Sequence, residues 1–463
     1  MRYISTRGGV APLTFSQAVM MGLATDGGLL LPEAIPTVAP DQWRAWADLP
    51  FQDLAVAVMA LFIGAEEIPR ADLQELVRRS FATFSHPDIT PVVPLGRGHV
   101  LELFHGPTLA FKDVALQFLG NLFEYLLARD GGILNILGAT SGDTGSAAIH
   151  GVRGKRGINI FILHPHQRVS PIQERQMTTV LDANVHNIAV QGDFDDGQRI
   201  VKTLFNDLEF RNAYSLGAVN SINWARILAQ VVYFVHAWGR VTGGAVERRV
   251  TFAVPTGNFG DIFAGYVARR MGLPMERLIL ATNRNDILTR FVRTGAYRTG
   301  QVQPTVSPSM DIQVSSNFER FLYYLVNGDC SRVRGFMTEL ATTGGFAVTP
   351  EELERTAEVF EAAAVSEAET IDQIRATWRE HRYLLDPHTA VGVRAVGDRV
   401  GVICLATAHP AKFGEAVQRA IGQPPELPPA LAELHGKATR LTVLPADAGQ
   451  VKRFMVQTLA AGR

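Results

Sequence analysis

The chain has 463 residues, 47% hydrophobic and 19% charged, which is enough for two or three domains with ample cores and far from a disordered composition. Against 45 acidic residues stand 44 basic ones, a formal charge of -1, so no basic field draws nucleic acid or an acidic membrane surface. Two cysteines, Cys330 and Cys404, allow neither a disulfide framework nor a thiolate metal cluster, and no metal site is expected. The opening "MRYISTRGGVAPLTF" lacks the apolar core of a secretory signal, and no run approaches the ~18 apolar residues of a membrane span. A cytoplasmic location is expected.

In chain order, residues 1–95 read as a first domain. It has a polar N-terminal segment, a Gly/Pro turn at "TDGGLLLPEAIP", helical patterns near 50–65 and 71–84, and a proline-rich connector, "SHPDITPVVPLGRGH". A short strand, "VLELF", precedes "HGPTLAFKDVALQFLGNLFEYLLARD", an amphipathic helix introduced by Gly106, Pro107 and Thr108. Asp113, Gln117, Asn121 and Glu124 form one polar stripe, and Lys112 lies more than ~100° from its centre, aimed at the apolar side. Burial and a helix N-terminus both favour the neutral, nucleophilic amine there. A lysine that snorkels, with its stem on apolar surface and its ammonium in water, satisfies the same pattern.

Beyond it, apolar strands alternate with helices. "ILNILGA" leads to the helix "TGSAAIHGVRG"; "INIFILHP" and "HNIAVQG" are strands, and "GQRIVKTLFNDLEF" is a helix. "NWARILAQVVYFVHAWGRV" is a long helix, followed by strand "VTFAVP", helix "DIFAGYVARRMG" and strand "RLILATN". Residues 350–382 read as a solvated helix pair, and "VGVICLATAHPAKFG" as a late buried strand. This alternation predicts parallel α/β layers. The expected divisions are 1–95, 96–220 and 221–463.

Ligands in such sheets bind beyond the carboxyl ends of the strands. "GATSGDTGSAA" offers free backbone, hydroxyls and a helix N-terminus suited to a carboxylate or phosphate. "PTGNFGD" repeats that design, and "SPSMDIQVSSNFER" carries Ser315, Ser316, Asn317 and Arg320 as a possible phosphate grip. Singly, each reads equally as a turn with a helix cap. Together with the lysine they suit a pyridoxal phosphate enzyme, which needs an amine, a phosphate cradle and a carboxylate site. Dinucleotide, P-loop and nucleophile-elbow motifs are missing. "HPH" at 164–166 reads as a loop, and His105 as either a catalytic or a hydrogen-bonded structural histidine.

The chain resembles the threonine synthase family in its bacterial and fungal branch, through "YISTRG", "HGPTLAFKDVALQ", "ATSGDTGSAA", "PTGNFGD", "SMDIQVSSNFER", "DPHTA" and "ATAHPAKF". That resemblance implies a fold type II pyridoxal 5′-phosphate enzyme, related to the tryptophan synthase β-subunit. It implies two parallel-sheet α/β domains with the cofactor in their cleft, plus an N-terminal domain. Lys112 stands at the family's Schiff-base lysine, and Gly257, Asn258, Phe259 and Asp261 on its cofactor-phosphate loop. Thr407 is placed like the hydroxyl at the pyridine nitrogen, and Asp143 near the phenolic oxygen. Ser141 and Thr144 resemble the carboxylate loop, with Ser315, Ser316, Asn317 and Arg320 left for the substrate phosphate. The implied reaction converts O-phospho-L-homoserine and water to L-threonine and phosphate, in a monomer or homodimer without nucleic-acid or membrane partners. Two rivals remain open: a lyase or dehydratase that stops at elimination and releases 2-oxobutyrate, and a non-catalytic sensor on the same scaffold.

Overall fold

Short apolar runs punctuated by glycine, proline and asparagine become strands, and longer runs with helical period become helices. In the computed structural model, which describes residues 1–461, the strands are β1 (Tyr3–Ser5), β2 (Leu30–Pro32), β3 (Val92–Leu95), β4 (Gly98–Glu102), β5 (Leu134–Ala139), β6 (Ile158–Pro165), β7 (Val185–Gln191), β8 (Leu216–Gly217), β9 (Val250–Pro255), β10 (Met275–Thr282), β11 (Ala296–Arg298), β12 (Gly345–Ala347), β13 (Phe360–Ala364), β14 (Ile403–Ala406) and β15 (Thr442–Pro445). The described residues form two compact units, one of residues 1–115 and 221–425, the other of residues 116–220 and 426–461.

The first unit holds a six-stranded sheet in the order β13-β10-β9-β14-β4-β3. All neighbours are parallel except β3, which returns antiparallel on β4. Its central strand β14 is apolar and buried throughout because both faces are covered. Val100, Ala253, Ile279, Ala281 and Cys404 share one core with Val391 of the Pro387–Val396 helix. That helix comes so close at Gly392 that a Cβ there would meet Cys404 Sγ at 2.8 Å and Pro255 Cγ at 3.0 Å.

The Trp224–Thr242 helix is buried along nearly its whole length, so it needs cover on every side. Residues near the N-terminus supply much of it. Tyr3 and Phe62 pack on Trp224, Trp43 on Trp238, and Phe51 on His236. The N-terminal residues thus pack within the first unit and share its core.

The second unit holds a five-stranded, all-parallel sheet in the order β15-β7-β6-β5-β8. Val451 and Met455 of the Ala448–Ala461 helix complete its core with Phe161, Leu163, Ile188 and Leu204. The expected 221–463 portion thus splits, and its last 38 or so residues join 116–220 because their apolar stripe and strand are completed there.

Three local expectations are corrected. The proline-rich connector contains β3, whose edge position tolerates Pro94. The supposed helix pair at 350–382 is interrupted by β13, which pairs with β10 because "FEAAA" is too apolar for a solvated helix face. His164 lies buried on β6 rather than in a loop.

The Lys112–Asp130 helix departs further from expectation. Its polar stripe is not a solvent face: Asp113, Gln117 and Asn121 are all buried. Asn121 Oδ1 accepts 2.6 Å from Lys155 Nζ, which satisfies part of the stripe internally. The burial follows from a close crossing with the Asp143–Val152 helix. A Cβ on Gly120 would lie 1.9 Å from the Gly151 carbonyl oxygen, and one on Gly151 would lie 2.5 Å from the Leu116 oxygen. Only glycine permits that approach. Gly120→Ala should cost at least the ~1–3 kcal/mol of an overpacked core, read as a lowered urea midpoint at unchanged m-value. An unaltered midpoint would contradict the crossing.

Candidate active site

Three adjacent parallel strands of the first unit, β9, β14 and β4, end at one edge, and each hands the chain to a segment singled out in the sequence. Beyond β14 the backbone pairs once more with the segment that follows β4. Leu103 N–H donates to Ala406 O at 2.9 Å, Phe111 N–H to Thr407 O at 2.8 Å, and His409 N–H to Leu109 O at 3.1 Å. This pairing sets Thr407 beside the residue preceding Lys112.

Lys112 opens its helix and is only 8% exposed. Its Nζ sits 4.7 Å from the centre of the Phe111 ring. The turn before it is locked from behind. Asp113 accepts from Thr108 N–H at 2.8 Å and from Thr108 Oγ1–H at 2.7 Å, while Lys412 Nζ donates 2.7 Å to Thr108 O. Leu109 takes a left-handed φ of 59°, and Gly106 lies so near Asp113 that a Cβ would approach it to 2.4 Å. Burial pushes the Asp113 carboxyl up to about 6, against the Thr108 hydrogen bonds and the Lys412 charge. Snorkelling is excluded by this placement.

After β9, the loop through Gly257, Asn258 and Phe259 leads into the Gly260–Arg270 helix. Phe259 holds φ 61° although it is not glycine. Its ring is what keeps it there, wedged among Phe318, Phe321 and Phe360. The loop's carbonyls are tied back. Ser315 Oγ–H donates to Gly257 O at 2.8 Å, and Asn317 donates to Asn258 O from N at 3.0 Å and from Nδ2 at 3.1 Å. In a trans peptide the next N–H points opposite to the carbonyl, so the amides of Asn258 and Phe259 face away from that brace. With the first-turn amides of the helix they make a nest for an anion. The loop has no room to retreat, because a Cβ on Gly257 would meet Ser309 O at 2.8 Å.

Asp261, in the first turn of that helix, is buried. Tyr233 donates its hydroxyl to Asp261 Oδ1 at 2.5 Å, and among the described residues Oδ2 has no hydrogen-bond partner. Burial pushes this carboxyl up to about 7, opposed by Tyr233 and by the Lys112 charge.

Thr407 is buried, and its N–H donates 3.1 Å to Thr389 Oγ1, whose hydroxyl in turn donates to Asp386 Oδ2. Asp386 Oδ1 also takes His388 Nδ1 at 2.9 Å, and His388 Nε2 accepts 3.2 Å from Ser309 N–H. These two contacts assign the Nδ1–H tautomer. One carboxylate therefore braces both Thr407 and, through Ser309, the backing of Gly257.

In the second unit the loop after β5 is closed by one of its own side chains. Thr140 Oγ1 accepts from Gly142 N–H at 3.0 Å and from Gly145 N–H at 2.9 Å, which folds the loop over the start of the Asp143–Val152 helix. Ser141 is exposed and Thr144 half-buried, so both hydroxyls are available to a ligand. Asp143 is buried, and its Oδ1 accepts 2.8 Å from Gln173 Nε2.

Comparison with known proteins agrees along the whole length. A family model for the threonine synthase N terminus matches residues 2–81, one for pyridoxal-phosphate dependent enzymes residues 86–402, and one for the threonine synthase C-terminal region residues 389–455. The threonine synthase of Pseudomonas aeruginosa is 49% identical, over 99% of this chain and 98% of its own. The chain belongs to the threonine synthase family. That of Saccharomyces cerevisiae is 50% identical over 88% of this chain and 87% of its own. The crystal structure of pyridoxal-phosphate-bound threonine synthase from Brucella melitensis superposes with a TM-score of 0.96 at 48% identity, covering 99% of each chain.

Within this threonine synthase fold, the segment after residue 314 does not act as the sequence suggested. Ser315 and Asn317 are spent on the glycine loop, and Ser316 Oγ contacts Ser221 Oγ at 2.9 Å and Asn258 Oδ1 at 3.2 Å. Arg320 is fully buried. It donates to Leu30 O at 3.1 and 2.7 Å, to Ile222 O at 2.5 Å and to Asn317 Oδ1 at 2.5 Å, with its guanidinium 5.9 Å from the Trp224 ring. A guanidinium so engaged is a structural brace, not an open grip for a substrate phosphate. Its neighbour Glu319 binds Thr6 and pairs with Arg7, which gives "YISTRG" the same bracing role. His105 Nε2 lies 2.7 Å from Glu102 Oε2, a contact that suits either reading of this histidine.

Sequence reading assigned no role to Tyr233, Lys412 or Asp386. Only Asp386 carried a signal: an Asp-Pro pair heading an apolar helix is an N-cap, and its carboxylate accepts from His388 N–H at 2.9 Å. Arg320→Ala would strand two buried carbonyls and the Asn317 amide oxygen, a loss of about 3 kcal/mol or more in urea unfolding. The same variant should lose affinity equally for O-phospho-L-homoserine and for an unphosphorylated homoserine analogue. A selective loss on the phosphorylated one would restore the phosphate role.

Proposed function

We propose that this chain converts O-phospho-L-homoserine and water to L-threonine and phosphate, with pyridoxal 5′-phosphate as cofactor. The observation that carries the reading is the buried amine of Lys112. It is set by backbone pairing beside Thr407, at the same sheet edge as the glycine loop of 257–260. The near-identity in fold and length with threonine synthases supports this substrate over others that share the scaffold.

The residues present fit the cofactor. The amides of Asn258 and Phe259, turned forward by the brace on the carbonyls of Gly257 and Asn258, would hold its phosphate with the Gly260 amide at the helix start. Lys112 would hold its aldehyde carbon, and the Thr407 hydroxyl its ring nitrogen. When bound, it supplies a conjugated sink for electrons released at the substrate's Cα and Cβ. Thr407 is neutral, so it orients the ring nitrogen without holding it protonated as a carboxylate would. Lys112 is the base placed to take the proton from Cα and return it, its position fixed by the Thr108–Asp113–Lys412 lock. Ser141 and Thr144, with the amides at the start of their helix, would bind the substrate carboxylate, and Asp143, held by Gln173, would face the cofactor's phenolic oxygen. Loss of phosphate from Cγ and addition of water at Cβ complete the conversion.

The proposed protein is cytoplasmic, a monomer or homodimer; no helix among the described residues is long and apolar enough to cross a membrane. Lys112→Ala should abolish the visible absorbance of the cofactor-loaded protein and lower turnover by about a thousandfold or more. Retained turnover would remove the assignment. Product analysis of the wild type should show threonine. Accumulation of 2-oxobutyrate would instead mark an enzyme that stops at elimination.

A further inference from the structure

We propose that Asp261, held by Tyr233, is the proton acceptor coupled to phosphate binding: when the preceding glycine loop takes a phosphate dianion, Asp261 carries a proton. The inference rests on the reading of that loop as the cofactor-phosphate cradle. It names a protonation state and a partner, Tyr233, that the family resemblance does not supply.

Three observations lead to it. An ionised carboxylate has about four acceptor sites and, out of water, needs donors for them. Asp261 has one side-chain donor, the Tyr233 hydroxyl, and its Oδ2 is buried with no partner among the described residues. A neutral acid leaves one hydroxyl unsatisfied instead of a charge, which is the smaller penalty. Next, Asp261 lies in the first turn behind the amides of 257–260, so a phosphate dianion bound there adds two negative charges at close range. Finally, the surrounding cations do not cancel those charges. The groups facing the pair are Lys112, whose charge reaches Asp261, and Arg226, which lies on the same helix as Tyr233 and reaches that hydroxyl. Burial already outweighs Lys112 and holds the carboxyl near 7 without any phosphate.

The step balances simply. One proton passes from solvent to Asp261 Oδ2 as the dianion enters, and no bond between heavy atoms changes. Asp261 thus behaves as an asparagine-like neutral group when the cradle is full, and as a carboxylate at high pH when it is empty.

The test uses the full chain freed of cofactor and 4′-deoxypyridoxine 5′-phosphate, whose methyl group cannot join Lys112. Calorimetry at pH 8 in two buffers of different ionisation enthalpy counts the protons taken up. At that pH the phosphate is already a dianion, its second pKa being about 6. Any proton taken by the ligand is common to wild type and Asp261→Asn, so the difference isolates Asp261. Wild type should take up close to one proton more than Asp261→Asn, and its affinity should fall up to about tenfold per pH unit more steeply above neutrality. The Asn variant should bind at least as tightly at pH 8. Equal proton counts, or a variant weakened more than about tenfold (~1.4 kcal/mol), would overturn the proposal while leaving the cofactor reading intact. Failure of both proteins to bind the analogue would overturn the cofactor reading and the proposal with it.

Should Asp261→Asn not fold, two further measurements decide. Infrared difference spectra of wild type should show a carboxylic-acid carbonyl band appearing with the analogue, and its absence sinks the idea. Tyr233→Phe removes the one donor to the carboxylate, so the acid is protonated before binding, and proton uptake at pH 8 should shrink while binding persists. Unchanged uptake in that variant counts against Tyr233 as the holder.

Discussion

Phe111 donates its N–H to the carbonyl of Thr407, and that single pairing decides where the chain stops being an extension of the sheet and becomes a helix. The segment 109–111 is aligned against 407–409 by the Ala110–Ala408 bridge, so its last residue can release only one side chain into the first helical turn. That side chain is Lys112. A shift of one residue would present Phe111 or Asp113 instead, as helix geometry turns each successive residue by about 100°. The lock formed by Thr108, Asp113 and Lys412 prevents that shift from the other side. The amine's position is thus a property of sheet register, which is stiff, and not of a loop, which would be soft.

The glycine loop is held by a longer line of support. Leu30 on β2 accepts from Arg320, Arg320 fixes Asn317, and Asn317 donates to the carbonyl of Asn258. Phe259 pays a left-handed backbone cost of roughly 1–2 kcal/mol, recovered by burying its ring against three others. The amides of Asn258 and Phe259 keep their direction because the carbonyls of Gly257 and Asn258 behind them are occupied. The N-terminal segment, remote in sequence, is part of that support and so part of what makes the cradle preorganised.

Much of this was legible before any coordinates. The strand–helix alternation gave the parallel layers because buried parallel strands are apolar throughout. Lys112 stood out because a lysine off the polar stripe of an apolar helix is unusual. Two things were not legible. A buried polar stripe looks identical in sequence to a solvated one, and only the contact between Gly120 and Gly151 reveals that Gln117 and Asn121 face protein. Likewise, Arg320 beside serines and asparagine reads as an anion grip. Its actual partners, Leu30 and Ile222, are backbone carbonyls, which carry no sequence signal. The pairing of β15 with β7, about 250 residues upstream, carries no local sequence signal either.

Those interleaved segments have a consequence for how the molecule is made. The sheet of the second unit lacks an edge strand and one wall of its core until residues 442–461 exist, although its other strands are synthesised before residue 218. The first unit likewise waits for β14, the central strand on which the lysine's position depends, until residue 406 leaves the ribosome. During the roughly ten to forty-five seconds that the 224 residues between β8 and β15 take to appear at ordinary elongation rates, exposed parallel edges await partners. The nascent chain is therefore exposed to misassociation for most of the synthesis of this region, until residues 442–461 have emerged.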